Sequence, residues 1–185
     1  MGVSMPNEKT LMDSETMGRT VKRMTHEILE MTEGCKDLLL VGIRTRGDHI
    51  AKRIAEAILE VEGTKVPVGL LDITLYRDDL ITNVANAYLK ETEIPFPVTN
   101  KKVVLVDDVL YTGRTVRAGI EGILDFGRPT YIRLAVLVDR GHRELPIRAD
   151  VVGKNIPTSS DEMVQVHVME EDGRDEVLLL KKNGE

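Results

Sequence analysis

With 185 residues, 42% of them hydrophobic and 30% charged, the chain can bury one sizeable core and reads as a single domain over residues 1–185. A formal net charge of −6 argues against a uniformly basic nucleic-acid binder, although net charge says nothing about local patches. The lone Cys35 excludes an intrachain disulfide and a cysteine-rich metal site, and an aromatic content of 3% leaves little for stacking single-stranded bases.

Asp13 is placed to cap a first helix, in which Met17, Val21, Met24, Ile28 and Met31 recur at helical spacing and which Gly34 ends. Leu38–Ile43 is wholly apolar, as a strand buried on both faces should be. Ile50, Ile54, Ile58 and Val61 mark a second amphipathic helix closed by Gly63, and residues 66–75 read as the next strand. Residues 77–98 are polar and irregular, and a segment this long without clear periodicity is usually a functional lid or disordered. A third strand begins at residues 102–106 and leads through a loop into a helix over residues 115–126, stopped by Gly127 and Pro129. Residues 131–138 form a fourth strand and residues 150–152 a short one. Two alternating runs, 163–168 and 176–180, are joined by a turn at 170–173 as a hairpin. This order predicts an α/β fold with a mostly parallel, doubly wound sheet and a C-terminal β-hairpin, whose ligands bind at the carboxyl ends of the strands.

The chemistry concentrates in Val103-Val104-Leu105-Val106-Asp107-Asp108-Val109-Leu110-Tyr111-Thr112-Gly113-Arg114-Thr115. A buried strand ends in two carboxylates, a Gly-containing loop follows, and a helix opens at once. Unpaired N–H groups at that helix start favour an anion. Gly113 lets backbone approach a phosphate, Thr112 and Thr115 add hydroxyls, and Arg114 adds charge. Carboxylates beside a phosphate cradle suit a phosphorylated sugar, since acids accept from sugar hydroxyls or face a Mg²⁺ on a neighbouring pyrophosphate. The bland alternative, solvated acids followed by a capped helix, carries about half the weight on spacing alone. Neither G-x-x-x-x-G-K-[ST] nor G-x-G-x-x-G is present, and His26, His49, His142 and His167 have no metal-ligand spacing. No metal site is expected from the protein's own residues.

The segment Val103 to Thr115 resembles the PRPP-binding motif (PRPP being 5-phosphoribosyl 1-pyrophosphate) of type I phosphoribosyltransferases. Further blocks extend the resemblance: Leu40-Val41-Gly42-Ile43-Arg44-Thr45-Arg46-Gly47, residues 71–80 from Leu71 to Leu80, residues 138–150 from Val138 to Asp150, and Gly153-Lys154-Asn155-Ile156-Pro157-Thr158-Ser159. In this order they resemble the PyrR family, bifunctional pyrimidine attenuation regulators with uracil phosphoribosyltransferase activity. The resemblance implies a type I phosphoribosyltransferase fold with a flexible hood or lid over about residues 77–98. It also implies uracil and PRPP as substrates with Mg²⁺, UMP and pyrophosphate as products, and a homodimer or higher homo-oligomer. The cytoplasmic location away from membranes is expected instead from a start without a signal pattern and apolar runs too short to span a bilayer.

By the same resemblance Asp107 and Asp108 are catalytic and bind the ribose hydroxyls, with Val109, Leu110 and Tyr111 following them along the site. Thr112, Gly113, Arg114 and Thr115 wrap the 5-phosphate. Thr45 and Arg46 form the pyrophosphate loop, which in the family often holds a strained or cis peptide, and Arg77 contacts pyrophosphate when the lid closes. Arg140 and Val164 flank the uracil pocket, whose edge is read largely by backbone groups. Many purine phosphoribosyltransferases carry an Asp where this chain has Tyr111, so no general base is visible there.

Arg19, Lys22, Arg23 and His26 make a basic stripe on the first helix, and His142, Arg143, Arg148 and Lys154 a second basic group in the late loops. The resemblance implies that these bind the leader-hairpin mRNA of a pyrimidine operon, with UMP tightening the grip. Without it, a solvated charged helix is the commoner reading, since Glu27, Glu30 and Glu33 lie close by. Two alternatives stand beside the bifunctional reading: a phosphoribosyltransferase alone, and a nucleotide-sensing RNA-binding regulator with little turnover.

Overall fold

The computed structural model describes residues 8–76 and 92–181. The expected lid therefore lies outside the described residues, apart from its last stretch, and Arg77 lies outside them as well. Among the described residues no helix is long and apolar enough to cross a membrane.

In chain order the elements are β1 (Glu8–Met12), α1 (Ser14–Met31), β2 (Leu38–Ile43), α2 (Gly47–Glu62), β3 (Val68–Leu71), a 3₁₀ turn (Thr74–Tyr76), β4 (Lys102–Leu110), α3 (Arg114–Leu124), β5 (Tyr131–Asp139), β6 (Val151–Asn155), β7 (Glu162–His167), α4 (Met169–Asp172) and β8 (Glu176–Lys181). Five strands form a parallel sheet in the order β3-β2-β4-β5-β6, and a separate antiparallel sheet runs β1-β8-β7.

Both faces of the parallel sheet are buried. Leu40, Val104 and Val106 face the core shared with α1 and α2, where Met17, Met24, Ile28, Ile50 and Ile54 pack. Leu39, Val41, Ile43, Val103 and Leu105 alternate with them toward α3, against Val116, Ala118 and Ile123. The fully apolar β2 follows from this two-sided cover. Asp13 caps α1 by accepting the Thr16 N–H at 2.8 Å, as its position predicts.

Several boundaries differ from the sequence expectation for local reasons. The strand expected over 66–75 stops at Leu71, because Asp72 Oδ1 accepts both the Thr74 N–H (2.9 Å) and the Thr74 hydroxyl (2.6 Å), a side-chain turn that ends strand pairing. β4 continues past both acids to Leu110, since β5 pairs with it through Asp107–Val136 and on to Leu110–Asp139. The expected hairpin turn at 170–173 contains one helical turn, ended by Gly173 at φ 71°. β1 was not expected at all. It supplies the third strand of the small sheet, pairing with β8.

Candidate active site

The chain leaves β2 toward β3 on one side, then returns to place β4 on the other. That reversal opens a crevice beyond the carboxyl ends of β2 and β4, where open α/β sheets hold ligands. A cavity of about 280 Å³ sits there, lined by Arg44, Thr45 and Arg46 after β2, Asp72 to Thr74 after β3, and Asp107, Asp108, Val109 and Thr115 from β4 and α3. The Arg44–Thr45 peptide is cis. Gly42 and Gly47 let this loop fold tightly back. A side chain at Gly42 would meet the Gly47 carbonyl at 2.6 Å, and one at Gly47 would meet the Val106 carbonyl at 2.6 Å.

Asp107 is buried at 5% exposure and Asp108 is half-buried. Asp107 Oδ1 accepts the Asp108 N–H at 2.9 Å, and Asp108 Oδ1 accepts the Val109 N–H at 2.7 Å. Burial pushes the Asp108 carboxyl above the usual carboxylate range, against the opposing pull of the Val109 N–H, Asp107 and the Arg46 charge. Among the described residues no three His, Cys, Asp or Glu side chains converge as a metal cage.

A second cavity of about 400 Å³ adjoins the first through Val109 and Thr115, and is lined by the whole run from Val109 to Val116 together with Glu144. Gly113 stands at φ 92° immediately before α3, so the loop turns sharply into the helix. Thr112 Oγ1 accepts the Arg114 N–H at 3.3 Å. The Thr112 carbonyl accepts the N–H groups of Glu144 (2.9 Å) and Leu145 (3.1 Å), which fixes the loop from outside the motif.

At the Tyr111 side of this cavity, Tyr111 is 43% exposed while the Arg140 guanidinium lies 4.0 Å from its ring centre and is itself buried. Arg140 is held by Thr158 Oγ1 (3.2 Å) and the Glu162 carbonyl (2.8 Å), and His142 meets the Tyr111 ring edge-on. Val164 does not line either cavity; it is buried in the core on β7 beside Val166.

The two cations at the end of β2 are not simply solvated. Arg44 pairs with Glu93 at 2.7 Å, and Arg46 pairs bidentately with Asp172 at 2.8 and 3.0 Å. Arg114 likewise pairs with Glu144 at 2.6 Å. Glu93, Glu144 and Asp172 were missed by sequence reasoning. Their partners lie far along the chain, so no local spacing could have flagged them.

The basic groups divide. Lys22 and His26 are exposed on α1, and Arg148 is exposed on the β5–β6 connection. Arg19 pairs with Glu15 on its own helix. Arg23 spans from Glu27 to the carbonyls of Val152 and Gly153, which brings the α1 stripe beside β6 and Lys154, and Lys154 itself donates to the Leu11 carbonyl at 3.0 Å. His142 Nε2 is 2.6 Å from the Thr158 carbonyl. Arg143 points inward: it pairs with Asp139 and donates to the carbonyls of Ile147 and Tyr111, each at 2.9 Å. Arg143, expected only as one of the second basic group, thus also props the loop between β4 and α3 at Tyr111.

A phosphoribosyl transferase domain model matches residues 7–171. The bifunctional protein PyrR of Chloroflexus aurantiacus is 56% identical over 177 residues, covering 96% of this chain and 97% of the relative. That of Thermus aquaticus is 59% identical over 174 residues, covering 94% and 96%. The chain belongs to the PyrR family. PyrR-family membership also accounts for the type I phosphoribosyltransferase fold, which solved structures share at low identity. The hypoxanthine phosphoribosyltransferase of Staphylococcus aureus aligns at TM-score 0.69 with 21% identity, covering 98% of each chain. A Trypanosoma cruzi enzyme of the same name aligns at 0.73 with 17% identity, covering 97% of this chain and 95% of its own. At such identity the likeness speaks for the fold alone.

Proposed function

We propose that the chain joins uracil to the ribose of PRPP, releasing pyrophosphate and giving UMP, and that it also binds a pyrimidine-operon leader hairpin in response to UMP. The observation that carries the enzymatic half is the acid pair of buried Asp107 and half-buried Asp108, set between two loops at the reversal of the strand order. Asp107 and Asp108 accept from the ribose hydroxyls. Thr112, Gly113, Arg114 and Thr115 enclose the 5-phosphate, and Thr45 and Arg46 face the pyrophosphate. Val109, Leu110 and Tyr111, backed by Arg140, border the base. Arg77 keeps its expected role at pyrophosphate but lies outside the described residues.

A uracil ring nitrogen attacks C1 of the ribose, the bond from C1 to the pyrophosphate oxygen breaks, and the ring nitrogen gives up its proton. Positive charge builds on the sugar while negative charge builds on the leaving group, so positioning and fixed dipoles carry the catalysis. Mg²⁺ would arrive with PRPP, Asp107 and Asp108 being the carboxylates of this cavity that could face it, and it would neutralise charge on the pyrophosphate. Steady-state assays of several bases with PRPP test this reading. Uracil is expected to be preferred and excess EDTA to abolish turnover. Equal turnover of hypoxanthine or orotate would remove the substrate assignment.

The regulatory half is supported by the exposed Lys22 and His26, with Arg19 beside them on α1, and by the exposed Arg148 on the β5–β6 connection. Filter binding of a pyrimidine-leader hairpin, with and without UMP at two salt concentrations, is expected to show tighter binding with UMP. The affinity should fall with salt at a slope of about −0.7 to −0.9 per phosphate contact. Arg148→Gln should weaken the hairpin complex while leaving uracil turnover unchanged. Arg143→Gln, in contrast, should also slow turnover, because it removes support from the Tyr111 carbonyl. Hairpin affinity equal to that of a scrambled duplex and indifferent to UMP would leave only the enzyme.

A further inference from the structure

The connection between β7 and β8 reaches across the molecule to the loop after β2. Along α2, Arg46 at its N-cap, His49 and Arg53 follow one another at helical spacing on a single face. Each meets an acid of the β7–β8 connection. Arg53 pairs with Glu170 at 2.6 Å and with Asp175 at 2.7 Å, and His49 with Glu171 at 3.0 Å. Arg46 pairs with Asp172, the last residue of α4.

Asp172 differs from the other acids in what it touches. Its Oδ1 accepts from Arg46 Nη2 at 2.8 Å, and its Oδ2 accepts from Arg46 Nε at 3.0 Å and from the Val168 N–H at 2.9 Å. The carboxylate is thus pinned by its own backbone turn. A guanidinium is a planar fork of five N–H donors, and a carboxylate that takes one edge fixes the plane of the remainder. Arg46 lines the same cavity as Asp107 and Asp108. An unrestrained Arg would sample many rotamers and lose that freedom on binding an anion.

We propose that Asp172 is a positioning residue: it holds Arg46 so that its remaining donors meet the pyrophosphate group of PRPP. This rests on the reading of Arg46 as a pyrophosphate contact. It also gives the small antiparallel sheet a part in substrate affinity, because α4 lies between two of its strands. The other clasp pairs stabilise the same connection without touching Arg46, which makes them a control.

The test is a calorimetric titration of magnesium pyrophosphate, and separately of UMP, into wild type, Asp172→Asn, Arg46→Gln and Glu170→Gln, with circular dichroism as a check of folding. Losing a charge-assisted hydrogen bond should weaken pyrophosphate binding about tenfold in Asp172→Asn and in Arg46→Gln. UMP affinity should stay within about twofold, and Glu170→Gln should match wild type. If Asp172→Asn does not fold, Asp172→Glu keeps the charge and moves the carboxylate by one methylene, and a smaller loss in the same direction is expected. Wild-type affinity in Arg46→Gln would overturn the underlying reading of Arg46. A weakened Arg46→Gln with an unaffected Asp172→Asn would overturn the positioning role alone. Equal losses in Asp172→Asn and Glu170→Gln would reduce Asp172 to a brace of the turn, and tighter binding in Asp172→Asn would make it a competitor of pyrophosphate; either overturns the proposal.

Discussion

Asp107 interrupts a strand whose preceding residues, from Val103 to Val106, are all fully buried and apolar. Burying a carboxylate costs several kcal/mol unless charge and hydrogen bonds compensate, so nothing about folding favours an acid at that position. Its neighbour Asp108 is held above the usual carboxylate range by burial. Replacing either acid by Asn keeps the shape and removes a charged acceptor, worth about 1.5–3 kcal/mol. Turnover should therefore drop roughly ten- to a hundredfold, at ~1.4 kcal/mol per decade, with an unchanged circular dichroism spectrum. Because a raised pKa means protonation begins at higher pH, the wild-type rate should fall on acidification before ordinary carboxylates titrate. Asp108→Asn should lose that limb. Wild-type kinetics in both variants would leave the pair as no more than a strand terminus.

At the scale of elements, the junction of β2 with α2 is the tightest piece of the site. A methyl at Gly47 would press on the Val106 carbonyl at 2.6 Å and on Asp107 Cα at 3.0 Å, both backbone of the central strand. Gly47→Ala should then cost about 1–3 kcal/mol as overpacking and raise KM for PRPP, read by urea unfolding and steady-state kinetics. A methyl at Gly18 in α1 would meet nothing within 4 Å, so Gly18→Ala should instead leave stability equal or raised by up to about 1 kcal/mol. Equal effects from the two would show that helix propensity, not close approach, governs both. The same junction marks the boundary of what the sequence discloses. β2, α1 and α2 were legible because burial on one stripe or on both faces imposes a period on the residues. β1 was not, since it is a five-residue edge strand with two exposed positions in succession, paired with β8 far along the chain. The lining of the larger cavity, from Val109 to Val116, was legible because one contiguous segment builds it. The acids that hold the cations of the two cavities, Glu144 on Arg114 and Asp172 on Arg46, come from distant loops that only the folded topology brings near.

For the molecule as a whole, the small sheet depends on charge as well as on Val166 and Val177, which it contributes to the core together with Val168 from the β7–β8 connection. The hydrogen bonds from Arg46 hold the Asp172 carboxyl down at about 2, and those from Arg53 hold Glu170 below its usual value. Both folded-state pKa values are depressed, so the stability they contribute is complete above the ordinary carboxylate range. It is lost as pH falls through that range toward 2. Allowing for solvent screening of these partly exposed pairs, the Asp172 contribution is on the order of 1 kcal/mol. Asp172→Asn should accordingly be less stable than wild type by about that much in urea unfolding at pH 7, and the gap should narrow steadily between pH 4 and pH 2. Amide exchange should report the loss first in β7 and β8, because Asp172 and Glu170 lie in the connection between them and fasten it to α2. A gap that stays constant across that pH range would mean that Asp172 stabilises the fold by packing and by the Val168 N–H alone, with the Arg46 charge contributing nothing to folding.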